Sequence, residues 1–231
     1  MEAISLGETL EIARERLVTL VVGDTRFNIS CTPENLRELG IGFLITEGLV
    51  TDDRICVEVE GDVISVKSAN LGYELSPAAF KVRSSGSPGV FRAAEKLPTV
   101  SVEEKFTLEE CRNALQYLET DQYKRTRGYH SAALVGKNGL ISRACDVGRH
   151  NAIDKVIGMG IEADVKLKQA FLLVSGRISE GMVAKCVRCG VPLLVSKAAI
   201  LDSAIEKCME TGLSAVSFAT GIALKGEALI I

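Results

Sequence analysis

The chain has 231 residues, enough for one large domain or two small ones with a substantial core. With 47% hydrophobic and 25% charged residues and a formal net charge of −3, its make-up is that of a globular protein and not of a uniformly basic nucleic-acid binder. No apolar run approaches the ~18 residues of a membrane span, since the richest, Ile41 to Val50, is broken by Thr46 and Glu47.

The start of the chain carries Glu2, Glu8, Glu11 and Arg14 and lacks the basic-then-apolar pattern of a signal peptide. Seven cysteines then point to a reducing cytoplasm and free thiols rather than a disulfide framework. Leu17 to Val22, Arg26 to Ser30, Ile55 to Glu60 and Val63 to Lys67 are alternating β-branched runs and predict strands, with Gly23-Asp24 and Gly61-Asp62 as hairpin turns. Between the hairpins a helix is predicted, with Thr32 as N-cap, Pro33 at the first helical position and Leu36, Leu39, Ile41, Phe43 and Leu44 along it. Residues 1–82 thus read as a small N-terminal α+β domain. Ser84-Ser85-Gly86-Ser87-Pro88-Gly89 and Pro98 predict an exposed, mobile loop and linker over 83–105.

The remaining segment, 106–231, reads as a C-terminal α/β domain. Thr107 to Tyr123 has helical spacing through Leu108, Cys111, Leu115 and Leu118, with Thr107 as cap and Glu109 and Glu110 in the first turn. Ala132 to Val135 and Leu140 to Ala144 flank Lys137-Asn138-Gly139 and predict a hairpin. After a helix containing Asp154, the runs Ala170 to Val174, Val191 to Val195 and Leu213 to Phe218 alternate with two helices, a βαβαβ pattern that calls for parallel strands.

In an open α/β sheet, ligands bind beyond the carboxyl ends of the strands. Here those ends read Ser175-Gly176-Arg177, with Ser179 able to cap the next helix, then Ser196-Lys197, then Ala219-Thr220-Gly221. Glycine admits a ligand to the backbone, helix-start N–H groups favour anions, and Arg or Lys adds charge, so the edge suits a phosphate or pyrophosphate. Both histidines of the chain, His130 and His150, lie between Arg127 and Lys155, in the company of Arg149, Asn151 and Asp154. Four residues apart on one helix, His150 and Asp154 share a face and could present imidazole and carboxylate to one ligand, with Arg149 at hand for phosphate. A capped helix start with a solvated His–Asp pair is the structural alternative, and His130 reads equally well as a histidine satisfied at a strand start.

Cys186-Val187-Arg188-Cys189 ends a predicted helix, where the dipole disfavours a thiolate, and it lacks a second ligand pair for zinc. The sequence also argues against zinc nucleobase deaminase chemistry, whatever the fold: near His130 and Cys186 it lacks both the proton-shuttling Glu and the Pro of that motif.

The stretch Asp146-Val147-Gly148-Arg149-His150-Asn151-Ala152, followed by Asp154-Lys155, resembles the signature of the FdhD family, the formate dehydrogenase accessory sulfurtransferases. Gly40-Ile41-Gly42-Phe43-Leu44 with Glu47-Gly48, His130 with Ala132-Ala133-Leu134, Ser175-Gly176-Arg177 with Ser179, Gly190-Val191-Pro192 to Ser196, and Gly212-Leu213 to Phe218 extend the resemblance over nearly the whole chain. It implies a cytoplasmic homodimer whose C-terminal part is a three-layer mixed-sheet domain similar to the cytidine-deaminase fold. It also implies a sulfur carrier that takes persulfide sulfur from a cysteine desulfurase. The sulfur goes to the molybdenum or tungsten bis-pterin guanine dinucleotide cofactor of formate dehydrogenase, with a guanine nucleotide as partial ligand and neither nucleic acid nor membrane as partner. The family's cofactor-binding segment maps onto Phe218, Ala219, Thr220, Gly221, Ile222 and Ala223. With these, Ser175, Gly176, Arg177, His130, Arg149, His150, Asn151, Asp154 and Lys155 make up the expected cofactor-binding set, without a metal ligand among them.

The family's sulfur-carrying cysteines lie in a glycine-rich C-x-x-C loop, and the matching stretch here is Ser85-Gly86-Ser87-Pro88-Gly89. A serine hydroxyl cannot form a persulfide. Thr220 and Ala223 stand where the family commonly has arginines. The catalytic residue is therefore not assigned. Either sulfur is carried by Cys145 or by the Cys186/Cys189 pair, or the chain is a non-catalytic chaperone or scaffold for cofactor or nucleotide.

Overall fold

The computed structural model describes residues 7, 10–50, 55–68, 80–82, 88–90 and 96–231. Strands β1 (Arg16–Val22) and β2 (Thr25–Cys31) form an antiparallel hairpin turned by Gly23-Asp24, where Gly23 takes the φ of +57° that this tight turn demands. Helix α1 (Leu36–Thr46) follows, then the hairpin of β3 (Cys56–Glu60) and β4 (Val63–Ser68). β4 runs parallel to β1, giving a four-stranded sheet ordered β2-β1-β4-β3 whose one face packs on α1. The predicted strands are therefore found, but the helix begins at Leu36, with Asn35 as N-cap in the left-handed region. Thr32 does not cap it. Its hydroxyl accepts instead from the Val147 N–H at 3.1 Å, a contact across 115 residues that local pattern does not reveal.

Of the expected linker 83–105, residues 83–87 and 91–95 lie outside the described residues. Between them β6 (Pro88–Val90) pairs antiparallel with β5 (Phe80–Val82). β7 (Phe106–Thr107) leads into α2 (Leu108–Ala114), which is closed by a capping box: Thr107 Oγ1 accepts from the Glu110 N–H at 3.1 Å, and Glu110 Oε2 accepts from the Thr107 N–H at 2.6 Å. The single helix expected to Tyr123 is in fact broken. A 3-10 turn over Leu115–Leu118 ends it, and Thr120 caps a new helix, α3 (Asp121–Thr126), by accepting from the Tyr123 N–H at 3.0 Å.

β8 (His130–Gly136) and β9 (Gly139–Asp146) form the expected hairpin around Lys137-Asn138. Then come α4 (Arg149–Glu162), β10 (Ala170–Val174), α5 (Glu180–Cys189), β11 (Leu193–Ser196), α6 (Asp202–Thr211), β12 (Ser214–Ser217), β13 (Ile222–Leu224) and β14 (Leu229–Ile230). β14 pairs with β7 in a small parallel ladder. The main sheet is ordered β13-β12-β11-β10-β8-β9, with β10, β11 and β12 parallel as the βαβαβ pattern requires and the others antiparallel. Its central strands are buried on both faces: Ala132, Leu134, Leu172, Val174 and Leu194 join the core under α4, α5 and α6, and Ala133, Val135, Phe171, Leu173, Leu193 and Val195 join the core under α2. Two-sided burial is why β10 reads as an unbroken apolar run.

The fold is thus mixed α/β, with α1 and α4 crossing between the two larger sheets. At the crossing the backbones nearly touch. A Cβ on Gly42 would lie 1.7 Å from the Asp154 carbonyl oxygen, and one on Gly158 would lie 2.0 Å from that of Glu38. No helix among the described residues is long and apolar enough to cross a membrane.

Candidate functional site

Because β8 is antiparallel to β10 and β9 antiparallel to β8, one edge of the main sheet collects the carboxyl ends of β9, β10, β11 and β12 and the start of β8. Asp146, His130, Ser175, Ser196 and Ser217 stand there in sheet order. Ser175 Oγ accepts from the Ser131 N–H at 2.9 Å and lies 3.4 Å from His130 Nδ1, so the serine after β10 fixes the histidine beginning β8. A Cβ on Gly176 would come within 3.2 Å of the Arg149 side chain and 3.5 Å of His130 Nδ1; glycine lets these three residues converge. Arg177, exposed, is close enough that its charge, after burial, holds the Arg149 guanidinium below its ordinary value. Two cations side by side favour an anion between them.

Next to this group lies a cavity of about 380 Å³ lined by Glu119, Tyr123, Arg127, Tyr129, His130, Ser131, Ser175 and Lys197, among others. Burial, and then the Arg149 charge, push the His130 imidazole below its usual value, with Asp146 opposing. His130 is therefore neutral at pH 7. The linkage has a definite sign: between pH 6.5 and the lower folded value the unfolded chain binds more protons, so stability is full above 6.5 and is lost as pH falls. Urea unfolding across pH 7 to 5 should show this fall, and His130→Gln should flatten it; an equal slope in both proteins would count against a buried neutral imidazole.

The remaining residues of the signature face inward. Asp146 and Lys155 are completely buried and paired at 2.7 Å. Asp146 also accepts from the N–H of Thr32 at 3.0 Å, the N–H of Gly148 at 2.8 Å and Asn151 Nδ2 at 3.0 Å. Asn151 Nδ2 and Lys155 Nζ donate in turn to the carbonyls of Ser30 and Thr32, each at 2.8 Å. Together they latch the end of β2 to the start of α4, and so hold Arg149 at the sheet edge. His150 is only 3% exposed.

The expected ligand-facing pair of His150 and Asp154 is not formed. Asp154, 1% exposed, turns into a second buried cluster, where Lys185 Nζ meets Asp154 Oδ1 and Glu47 Oε1 at 2.6 Å each and Thr46 Oγ1 at 2.8 Å. Arg188 adds a contact to Glu47 at 3.7 Å, and the Phe43 ring lies 5.6 Å from the Lys185 ammonium. The reason is the layer architecture: α4 is covered by α1 on one side and by the main sheet on the other, so its polar positions must find partners inside the protein. Asn151, Asp154 and Lys155 therefore shape the site from behind.

The segment Phe218 to Ala223 lies beyond β12. Phe218 carries Arg112 over its ring at 5.0 Å, Thr220 Oγ1 is 2.5 Å from Ser217 Oγ, and Ala219 to Ala223 are exposed. Among the thiols, Cys186 and Cys208 are fully or nearly buried. Burial pushes the Cys186 thiol up and raises Cys189 to about 12. Cys145, 8% exposed, sits 3.2 Å from Thr120 Oγ1 and 3.5 Å from Ser131 Oγ. Ser85, Gly86 and Ser87 lie outside the described residues. Among the described residues no group of three or more His, Cys, Asp or Glu side chains is placed to hold a metal ion.

Glu119, Tyr123, Arg127 and Tyr129 escaped the sequence reading. Only the Arg127-Gly128-Tyr129 run before His130 offered a signal, whereas Glu119 reaches the cavity through a helix break that periodicity does not show.

These features define a mixed α/β protein with an anion-suited crevice at the carboxyl edge of its sheet. The model of the FdhD/NarQ family matches residues 13–225, and the chain belongs to that family. It is 31% identical over 225 residues to the sulfur carrier protein FdhD of Shouchella clausii, covering 90% of this chain and 84% of that one. Against the sulfur carrier protein FdhD of Geobacillus kaustophilus the identity is 30% over 228 residues, covering 91% and 85%. Among solved structures, a protein assigned as a formate dehydrogenase accessory protein from Desulfotalea psychrophila superposes with a TM-score of 0.79 at 21% identity, over 95% of this chain and 91% of the other. That likeness establishes the shared fold.

Proposed function

We propose that this chain is an accessory protein of formate dehydrogenase maturation, working in the cytoplasm. It binds the guanine nucleotide part of the molybdenum or tungsten bis-pterin guanine dinucleotide cofactor as its client. The observation that carries the reading is the convergence of His130, Ser175, Gly176 and Arg149, with Arg177 and Lys197 nearby, on one sheet edge beside the cavity. Arg149 and Arg177 supply charge for a pyrophosphate, Gly176 gives access to backbone, and neutral His130 and Tyr129 offer a polar and aromatic wall for a base.

A second reading concerns sulfur. Persulfide transfer from a cysteine desulfurase needs an accessible thiolate, and the stretch Ser85-Gly86-Ser87-Pro88-Gly89 has no cysteine. Cys186 and Cys189 have thiols raised by burial, which makes them poor nucleophiles at neutral pH. This favours a client-binding chaperone over a sulfurtransferase working through that pair, and leaves Cys56, which is exposed, as the accessible thiol to be tested with the others. Two measurements on one protein preparation test the whole reading. Calorimetry should show saturable guanosine diphosphate binding, weakened about tenfold or more by Arg149→Ala, the loss of a charge-assisted contact. Mass spectrometry after incubation with a desulfurase and cysteine should find no persulfide on any of the seven cysteines, the exposed Cys56 included. Absence of nucleotide binding would sink the client reading, and a persulfide on one of those thiols would restore sulfur transfer.

A further inference from the structure

The cavity beside His130 is crossed by an ion pair that the fold does not need. Glu119 ends the 3-10 turn after α2, one residue before Thr120 starts α3, so the helix break itself aims its side chain at the sheet edge. There Glu119 Oε1 meets Lys197 Nζ, just past the end of β11, at 2.7 Å. Both side chains line the cavity, and they are 41% and 56% exposed. A pair this exposed contributes little to stability. The Lys197 ammonium holds the Glu119 carboxyl below its usual range. The other charged side chain lining the cavity is Arg127, and His130 is neutral there. Glu119 therefore offsets one of the two positive charges on the lining of the cavity itself, the one that Lys197 would otherwise offer an anionic ligand.

We propose that Glu119 is a specificity-determining residue of this cavity: its carboxylate serves Lys197 as an internal counter-ion that a phosphate or pyrophosphate group displaces and an uncharged nucleoside does not. The inference rests on the nucleotide-binding reading above. No bond is made or broken. One anion replaces another on the same ammonium, and the freed carboxylate swings into water, where its exposure makes that movement cheap. The exchange imposes a threshold, since a ligand gains from Lys197 only what exceeds the carboxylate's own hold on it. A ligand bearing two phosphate groups passes that threshold, while a base and sugar alone draw nothing from Lys197.

The experiment is calorimetric titration at low ionic strength of the wild-type chain, Glu119→Gln, Lys197→Gln and the double variant, each with guanosine diphosphate and with guanosine. Thermal melts check that each variant is folded. Glu119→Gln should bind guanosine diphosphate about two- to fivefold more tightly, the scale of an exposed ion pair. Its guanosine affinity should be unchanged. The gain should vanish in the Lys197→Gln background, because the two residues act through one contact. Glu119→Asp should restore the wild-type value. An unchanged or weaker guanosine diphosphate affinity in Glu119→Gln, an equal gain for guanosine, or a gain that persists without Lys197 would each overturn the proposal. If the wild-type chain binds guanosine diphosphate and only these comparisons fail, the nucleotide-binding reading stands; if the wild type does not bind it, both fall.

Discussion

Replacing Gly42 by alanine is expected to destabilise the protein by about 3 kcal/mol or more, against the sign that helix propensity alone would give. Gly42 lies inside α1, where alanine normally gains about 1 kcal/mol over glycine. Here the new methyl would sit 1.7 Å from the Asp154 carbonyl oxygen, with the carbonyl carbon at 2.5 Å and Cα at 2.9 Å. All three atoms are backbone, so neither a rotamer change nor a side-chain shift can relieve the clash; the two helices must move apart. Separation would strain both buried clusters, because Asp154 and Lys155 ride on the displaced helix. Gly158→Ala should behave alike, since its methyl meets the Glu38 backbone from 2.0 Å. Gly160→Ala is the contrast: its methyl meets the far ends of Leu134 and Leu167 at 3.0 and 3.3 Å, which can yield, and the Val165 Cβ at 3.9 Å, an ordinary van der Waals contact. Urea denaturation should thus rank Gly160→Ala close to wild type and the other two far below. Equal stability of Gly42→Ala and wild type would mean that the helices do not cross as described.

Much of this frame was legible in the chain. The turns Gly23-Asp24 and Gly61-Asp62, the Lys137-Asn138 hairpin and the parallel β10, β11 and β12 follow from local period and turn chemistry, which act over a few residues. Thr107 capped its helix because its partner, Glu110, is three residues away. Thr32 looked equally able to cap and did not, since its hydroxyl is held by Val147 and its carbonyl by Lys155. The same distinction divides the site. Arg149, Gly176 and His130 were recognised and do meet at one edge, because strand order alone brings strand ends together. Asn151, Asp154 and Lys155 were recognised as chemically unusual, yet their partners Ser30, Thr32, Thr46 and Lys185 come from distant elements. A polar residue in an otherwise apolar helix signals a required partner, and it does not say whether that partner is a ligand or the protein itself. Thr46 and Glu47, which interrupt the apolar run from Ile41, are the clearest case.

Removing the cation from the cluster around Asp154 should destabilise the protein strongly. Lys185→Met keeps the length of the side chain and its apolar stem, so the loss is confined to the ammonium. Glu47 and Asp154, both nearly inaccessible to water, then lose the ammonium that lies 2.6 Å from each, while the Arg188 contact at 3.7 Å and the Thr46 hydroxyl at 2.6 Å stay in place. Stranding buried carboxylates in this way costs about 3–5 kcal/mol, far more than the intact cluster contributes relative to an apolar core. Burial already pushes the Asp154 carboxyl up in the intact protein, and Lys185 opposes it. Without Lys185 the folded state takes up a proton at higher pH than the unfolded chain does, so the variant regains stability as pH falls toward the usual carboxylate range. The deficit against wild type should accordingly be largest near neutrality and shrink on acidification, and Asp154→Asn in the same background should recover part of it at pH 7. A deficit below about 1 kcal/mol, or one that does not change with pH, would show that water reaches the cluster and that these charges do not hold α1, α4 and α5 together.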